Sequence, residues 1–474
     1  MVRTVFAILL CLLFAFSAHS AEIFRGYYMT FMRMPLMGLP EWKEAVDCLQ
    51  EDGSNVVILW TGGAFASKRF PITWDYNREH KNVKHDFVRE LINYAHEKKI
   101  RVLLGFTPFG YDGVNQYAIE HPELKARKAD GKPVDSFGIH CWGWSLCPSQ
   151  KASRDFMLEY AREMAFEFYP NADGLLIESS DYNVCRCAEC KEHFYEREFE
   201  FVRQISNEVW ERKADATVVV FPHYFSGKKV NQGSDIEAKA ASQPFDPRWT
   251  LVFTPHSAQI DGDLLKQARS SIYWNEGPSR GTPWSMKDGA KTAKRYGLAG
   301  YVPSLEPWSY VVTHEEFGES QLTGKRLKPF GLNWLRDGEM PLRDLLVRVQ
   351  RAGYREFARN PDLKDEEFRR KLAVEFFGSE AKVGSVEDLL FLQRTVFEGR
   401  SWLSASPLVE PGLFQLKAAR EKWDAQRLRG YKKRLEAIRE IETKYQGASG
   451  KTEKEMQAIA AFISARWKGK EIAR

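Results

Sequence analysis

The sequence shows no marked excess of either charge: 69 Lys and Arg residues stand against 64 Asp and Glu residues, giving a net charge of +5 over 474 residues. It also contains no long basic run, so nothing in it favours nucleic acid as a partner. No stretch after residue 20 is apolar enough to span a membrane. With 43% hydrophobic and 28% charged residues, the composition excludes a disordered or fibrous chain and indicates a folded globular protein. It does not determine the oligomeric state.

The one strongly hydrophobic run lies at the N-terminus. A positive residue, Arg3, precedes apolar residues 5–16, and small residues follow at Ala18 and Ser20. This order is typical of a secretory signal peptide. We therefore expect cleavage near Ser20, loss of residues 1–20, and a mature chain that is secreted or periplasmic.

Short runs rich in branched aliphatic and aromatic residues recur up to residue 308, and amphipathic segments separate most of them. Several of these runs lack polar alternation, which is typical of strands covered on both faces. The pattern predicts a (β/α)8 barrel over residues 21–339. An open doubly wound sheet is the alternative, but no Gly-rich phosphate loop follows the first strand. The predicted strands are Phe24–Phe31, Asn55–Thr61, Arg101–Phe106, Gly174–Ser179, Thr217–Tyr224, Thr250–Ser257, Ser271–Gly277 and Ala299–Trp308.

From residue 340 onward the pattern is helical throughout. Amphipathic segments succeed one another with no strand pattern between them. We therefore predict a C-terminal helical domain over residues 340–474, packed against the barrel. Its predicted helices are Pro341–Asn360, Asp365–Phe377, Val386–Phe397, Gln415–Tyr445 and Glu453–Trp467.

Carboxylate, imidazole and indole side chains follow the predicted strands at their C-terminal ends. In a barrel these ends meet at one rim, which is where barrel enzymes place their active sites. Cleavage of a glycosidic bond needs one carboxylic acid to protonate the leaving oxygen and a second carboxylate as nucleophile or base. Flat rings can stack on sugars. The residues concerned are Trp60, Glu178, Asp181, His223, His256, Trp274, Glu276, Glu306 and Trp308.

Glu178 is the strongest candidate, because it directly follows the apolar strand residues 174–177. An ion pair with a rim arginine is the alternative role for it. Glu276 lies in an Asn-Glu-Gly sequence that also suits a plain turn. Glu306 precedes Pro307 in a rigid setting that favours binding substrate hydroxyls.

The other polar and indole residues at the rim are predicted to bind substrate. Trp60, Trp274 and Trp308 would stack on sugar rings. Asp181 would hold hydroxyls, or instead cap the helix that follows it. His223 and His256 would bind hydroxyls as well, although residues of this kind also occur as hydrogen-bonded residues at the edge of a core.

Four cysteines lie close to this region in sequence. Cys185, Cys187 and Cys190 form a C-x-C-x2-C motif shortly after Glu178, and Cys147 lies in the loop before the helix that precedes strand four. The spacing predicts a structural zinc with these four ligands. The even number of cysteines left after removal of the signal peptide equally predicts disulfides in an exported protein. A catalytic metal site is disfavoured, since the chain lacks His-x-His on strand one and His-Glu-x-x-His. Glycoside cleavage by a carboxylate pair needs no cofactor, so none is expected for catalysis.

Three segments resemble barrel-type glycoside hydrolases, especially bacterial barrels related to family 20 hexosaminidases and α-glucuronidases. They are residues 146–149 (LCPS), 172–178 (ADGLLIE) and 354–361 (YREFARNP). The resemblance implies an acid/base after strand four, Glu178, and a nucleophile after strand seven, Glu276. The hexosaminidases carry an Asp-Glu pair at the first of these positions, whereas Ile177 precedes Glu178 here.

Taken together, the sequence predicts a secreted glycoside hydrolase acting on a polysaccharide or oligosaccharide. Glu178 would be the acid/base, and Glu276 the nucleophile, or the base if the enzyme inverts. A non-catalytic carbohydrate-binding barrel is the alternative. A barrel hydrolase or lyase acting on a non-sugar substrate is a third possibility.

Overall fold

Eight parallel strands close into a barrel in chain order, with the first strand paired to both the second and the eighth. The strands are β1 (Phe24–Met29), β2 (Val56–Trp60), β3 (Arg101–Phe106), β4 (Gly174–Ile177), β5 (Thr217–Val220), β6 (Thr250–Phe253), β7 (Ser270–Tyr273) and β8 (Gly300–Tyr301). This topology, from a computed structural model, confirms the predicted (β/α)8 fold. The structure describes residues 23–29, 37–62, 65–74, 86–110, 113–134, 144–178, 184–221, 244–255, 265–275, 282–305, 334, 340–397, 406–470 and 472.

The strands are apolar along their length because the helices cover their outer faces and the opposite strands cover their inner faces. Every residue of β2, β4, β5 and β6 is buried. Successive side chains of a strand point to opposite faces, and β1 shows the consequence. Tyr27 packs outward against Tyr354, while Tyr28 packs inward beside Trp60. The two adjacent tyrosines therefore belong to different layers of the molecule.

Helices follow most of the strands and form the outer layer. Those associated with the barrel are α1 (Leu39–Glu51), α2 (Val88–Glu97), α3 (Tyr117–Glu120), α4 (Lys151–Arg162), α5 (Cys190–Arg212) and α6 (Pro283–Arg295). A π-helix over Glu163–Phe168 continues α4 directly towards β4. Short 3₁₀ helices lie at Pro71–Trp74, Val114–Gln116, Pro122–Leu124, Pro341–Arg343 and Glu380–Lys382.

The helix α7 (Leu345–Arg359) occupies the place of the eighth barrel helix. Its Tyr354 hydroxyl donates to the Tyr301 carbonyl of β8 at 3.0 Å and accepts from the Gly26 N–H of β1 at 2.6 Å. On one side it approaches α6 so closely that a Cβ at Gly353 would lie 2.7 Å from Pro283. The domain boundary predicted at residue 340 therefore falls before a helix that packs as part of the barrel.

Five further helices follow: α8 (Asp365–Phe377), α9 (Val383–Phe397), α10 (Pro411–Arg420), α11 (Ala425–Lys444) and α12 (Lys451–Arg466). The single helix predicted over residues 415–445 is wrong, because a turn divides it into α10 and α11. Lys422 has a positive φ of 48° in that turn, and the Asp424 side chain caps α11 by accepting from the Arg427 N–H at 2.7 Å. No helix in the described ranges is both long enough and apolar enough to cross a membrane.

Candidate active site

Glu178 lies at the C-terminal rim, which we define as the C-terminal ends of the barrel strands. Its backbone N–H donates to the Phe106 carbonyl at 3.0 Å, which continues the β3–β4 ladder one residue beyond β4. The Tyr28 hydroxyl, from β1, donates to Glu178 Oε2 at 3.3 Å. The Glu178 side chain is partly buried. The backbone of Glu178 is thus fixed by β3, and its carboxylate is contacted by a side chain from β1.

The Tyr28 ring that contacts Glu178 belongs to a cluster of aromatic rings. The Tyr28 ring lies 5.9 Å from the Trp60 ring at the end of β2 and 6.0 Å from the Trp274 ring just after β7. The Trp274 ring also meets the Phe221 ring edge-on at 6.5 Å. The ends of β2, β5 and β7 therefore contribute rings to the cluster around Tyr28.

The two indoles differ in exposure. Trp274 is partly exposed and can present part of its ring to a ligand. Trp60 is fully buried, and its ring passes over Gly105, where a Cβ would lie only 3.0 Å from the indole. A stacking platform must present an open face, so the geometry gives Trp60 a packing role. The stacking role predicted for it stays a prediction.

The buried indole nitrogens of Trp60 and Trp274 find no hydrogen-bond acceptor within the described parts of the chain. A buried donor left without an acceptor costs about 1–3 kcal/mol. Of the two residues only Trp274 is partly exposed, so its unpaired donor marks a position suited to a ligand that carries oxygen acceptors.

The ends of β7 and β8 are fixed to the same rim. Asn275, which follows Trp274, accepts from the Tyr301 hydroxyl at 2.6 Å, and its carbonyl accepts from the Ser304 N–H at 2.9 Å. Ser304 in turn forms a parallel bridge with Tyr28.

The remaining predicted site residues lie outside the described residues, and their roles stay predictions. They are Asp181, His223, His256, Glu276, Glu306 and Trp308.

Tyr28 was not among the residues selected from the sequence. Two adjacent tyrosines in a predicted first strand do carry a signal, because strand alternation sends one of them into the barrel. The sequence pattern does not say which one.

Cys147 and the three cysteines of the C-x-C-x2-C motif converge. Their sulfurs all lie within 4.8 Å of one another, with Cys147 Sγ 3.5 Å from Cys190 Sγ and 3.8 Å from Cys187 Sγ. No disulfide joins any cysteine in the described ranges. Hydrogen bonds from the neighbouring Cys147 and Cys190 thiols hold the pKa of the Cys185 thiol far below its usual range.

Residues 41–179 match the model of the family described as hypothetical glycosyl hydrolase 6, GHL6. The matched segment runs from α1 to the residue after Glu178. This match confirms the predicted resemblance to barrel-type glycoside hydrolases and supports the prediction that the chain is a glycoside hydrolase. No curated protein matches the sequence significantly.

Several solved structures resemble the fold at low sequence identity. A GH138 enzyme targeting pectin rhamnogalacturonan II is 11% identical with a TM-score of 0.49, over 94% of this chain and 57% of that one. A chitobiase of Flavobacterium johnsoniae is 11% identical with a TM-score of 0.45, over 93% and 70%. A β-N-acetylhexosaminidase is 14% identical with a TM-score of 0.46, over 80% and 79%. The chain thus spans little more than half the length of the GH138 enzyme.

Proposed function

We propose that this protein hydrolyses glycosidic bonds in a polysaccharide or oligosaccharide, with Glu178 as the acid/base. One observation carries the proposal. A partly buried carboxylate stands at the C-terminal end of β4 and is hydrogen-bonded to Tyr28, whose ring contacts the Trp60 and Trp274 rings. Barrel enzymes place their chemistry at this end of the strands, and glycoside cleavage needs a carboxylic acid at the leaving oxygen.

In this mechanism Glu178 gives its proton to the glycosidic oxygen as the bond to the sugar breaks. The carboxylate that remains is stabilised by the Tyr28 hydroxyl, because a donated hydrogen bond favours the charged form. Tyr28 also orients the carboxyl group, since its own ring is held between Trp60 and Trp274. Tyr28 is therefore a positioning residue for the acid.

The second carboxylate of the proposed pair is Glu276, with Glu306 as the replacement candidate. Glu276 follows Asn275, whose contacts tie the end of β7 to Tyr301 and Ser304. Carboxyl groups about 5–5.5 Å apart would make Glu276 a nucleophile with retention, and a spacing of about 6.5–9.5 Å would make it a base with inversion. The anomer released first, observed by proton NMR, distinguishes these two roles.

The sugar itself would lie against the partly exposed Trp274 ring. The indole N–H of Trp274 would donate to an oxygen of the substrate, which would satisfy an otherwise unpaired donor. Asp181, His223, His256 and Trp308 would complete the contacts to hydroxyls and ring faces. The predicted signal peptide would bring this activity to substrates outside the cytoplasm.

The proposal is tested by incubating the purified chain with a panel of plant, bacterial and fungal polysaccharides and aryl glycosides. Release of reducing ends or of the aryl group is measured, and binding to the same glycans is measured by calorimetry. We expect at least one glycan to be cleaved. Binding of a glycan without cleavage of any member of the panel would contradict the hydrolase and support the non-catalytic carbohydrate-binding barrel.

A further inference from the structure

We propose that Cys147, Cys185, Cys187 and Cys190 bind one structural zinc ion that joins the two helices flanking β4. Cys147 lies just before α4, and Cys190 is the first residue of α5. The strand between these helices carries Glu178 at its end. The proposal does not depend on the proposed function, because the site is defined by the sulfur atoms alone.

The sulfur spacing is that of a metal site. A tetrahedral zinc with Zn–S bonds of about 2.3 Å holds its sulfurs about 3.8 Å apart. The two distances from Cys147 Sγ, 3.5 Å to Cys190 and 3.8 Å to Cys187, lie close to that value. A disulfide needs sulfurs at about 2.05 Å. The four sulfurs are therefore arranged around a common centre rather than in bonded pairs.

The protein also supplies hydrogen bonds to these sulfurs. The Arg127 N–H donates to Cys185 Sγ at 3.3 Å, and the Cys190 N–H donates to Cys187 Sγ at 3.5 Å. The Ser149 hydroxyl lies 3.0 Å from Cys190 Sγ. Donors of this kind orient metal ligands and stabilise thiolate charge, and they form the outer shell of metal sites.

Backbone pairing with a third segment, residues 124–127, brings the two ligand-bearing segments together. Residues 124–127 lie between the Cys147 loop and the C-x-C-x2-C loop. The Cys147 N–H donates to the Leu124 carbonyl at 2.9 Å, and the Arg186 N–H donates to the Arg127 carbonyl at 2.6 Å. This arrangement holds the ligands in place from both sides. Cys147, Cys185 and Cys190 are buried and Cys187 is partly buried, so water has little access to the centre.

The ligand set indicates what the ion does. Four protein thiolates fill a tetrahedral zinc and leave no position for water or substrate, which is the composition of a structural site. The ion would therefore hold the starts of α4 and α5 at a fixed distance on either side of β4. It would support the loop after Glu178 without taking part in bond cleavage.

The test is the metal content of the purified full-length chain, measured by inductively coupled plasma mass spectrometry. Wild type should contain one zinc per chain, and the double variant Cys187→Ser/Cys190→Ser should contain none. Cys48→Ala is the matched control, because Cys48 is buried but lies outside the cluster. This variant should retain one zinc.

A second measurement on the wild type does not depend on the folding of a variant. Replacing the metal with Co²⁺ should give sulfur-to-cobalt charge-transfer absorption and the visible bands of a tetrahedral ion. Free thiols are also counted in the wild type before and after reduction. A rise in the count on reduction that shows these four cysteines paired as disulfides would overturn the proposal. Stoichiometric iron in place of zinc, or a wild-type chain that neither contains nor takes up zinc, would overturn it as well. Each of these results would leave the hydrolase proposal unaffected, since no substrate is involved.

Discussion

At the scale of single residues, Tyr28 and Tyr27 offer a matched pair. Tyr28→Phe keeps the ring between Trp60 and Trp274 but removes the hydroxyl that donates to Glu178. A hydrogen bond to a charged group contributes about 1.5–3 kcal/mol. We therefore expect kcat to fall about tenfold to hundredfold, with KM little changed because the rings stay in place.

Tyr27→Phe is the control for this prediction. Its hydroxyl donates to Asp52 at 3.1 Å on the outer side of the barrel, away from Glu178. This variant should lose some thermal stability and keep its kcat. Equal kcat values for the two variants would show that the Tyr28 hydroxyl does not act through Glu178.

At the scale of elements, the attachment of α7 to the barrel depends on a buried ion pair. Arg351 meets Asp52 with two hydrogen bonds, Nε to Oδ2 at 2.8 Å and Nη2 to Oδ1 at 3.1 Å, and also donates to the Cys48 and Leu342 carbonyls. Burial raises the pKa of Asp52, and the charge of Arg351 opposes that rise. Arg351 is thus the largest of the groups that oppose the effect of burial on the Asp52 carboxyl, ahead of Arg355 and the Tyr27 hydroxyl.

Arg351→Ala should reduce the free energy of unfolding by about 3–5 kcal/mol, because the buried Asp52 carboxylate loses both guanidinium hydrogen bonds and keeps only Arg355, 3.6 Å away, and the Tyr27 hydroxyl. Arg343→Ala removes an arginine that pairs with Glu51 and Glu44 on a more exposed surface. Arg343→Ala should reduce the free energy of unfolding by less than about 1 kcal/mol. Urea denaturation measures both values. Losses of similar size would mean that the Asp52–Arg351 pair does not anchor α7.

The first turn of α7 should make stability depend on pH. Asp344 caps this helix by accepting from the Leu346 N–H at 2.9 Å, and it also accepts from the Trp334 indole at 2.6 Å. Burial raises the pKa of Asp344 from 3.8 to about 6. A raised carboxyl pKa favours the protonated form in the folded state. Below pH 3.8 the carboxyl is protonated in both the folded and the unfolded state, and its contribution to stability is complete. As pH rises through about 6 this contribution is lost, because the unfolded state gives up the proton at a lower pH than the folded state.

Asp344→Asn removes this titration and keeps a good capping residue. The stability of the variant relative to wild type should increase as pH rises from 4 to 6 and then level off. The variant should also differ from wild type in stability by a fixed amount at every pH, because one amide oxygen replaces two carboxylate oxygens. Thermal unfolding over this pH range provides the measurement. A difference between the two proteins that does not vary with pH would contradict the role assigned to Asp344.

At the scale of the whole molecule, the barrel could be predicted because its parallel strands leave continuous apolar runs such as residues 56–60. The sequence predicts that the C-terminal helices pack against the barrel, but not that α7 takes the place of the eighth barrel helix. An amphipathic helix shows which face is buried but not which element covers it. Only the contacts of Tyr354 with β1 and β8 assign α7 to the barrel.

The candidate site could also be predicted only in part from the sequence. Glu178 is recognisable because a carboxylate follows directly after apolar strand residues. The burial of Trp60 is not recognisable, since it depends on Gly105 lying opposite on the next strand. The cysteine spacing left zinc and disulfides equally open. The distances between sulfurs come only from the folded backbone.

The central claim, that Glu178 is the acid of a glycoside hydrolase, is tested most directly by the kcat/KM of Glu178→Gln on a natural glycan. The control is Glu208→Gln, which removes a carboxylate paired with Arg162 on the outer surface of α5. General acid catalysis contributes about 10²–10⁴-fold in rate. We predict a loss of that size for Glu178→Gln at a nearly unchanged melting temperature, a smaller loss on activated aryl glycosides, and none for the control. Wild-type kcat/KM in Glu178→Gln on the natural glycan would contradict the account.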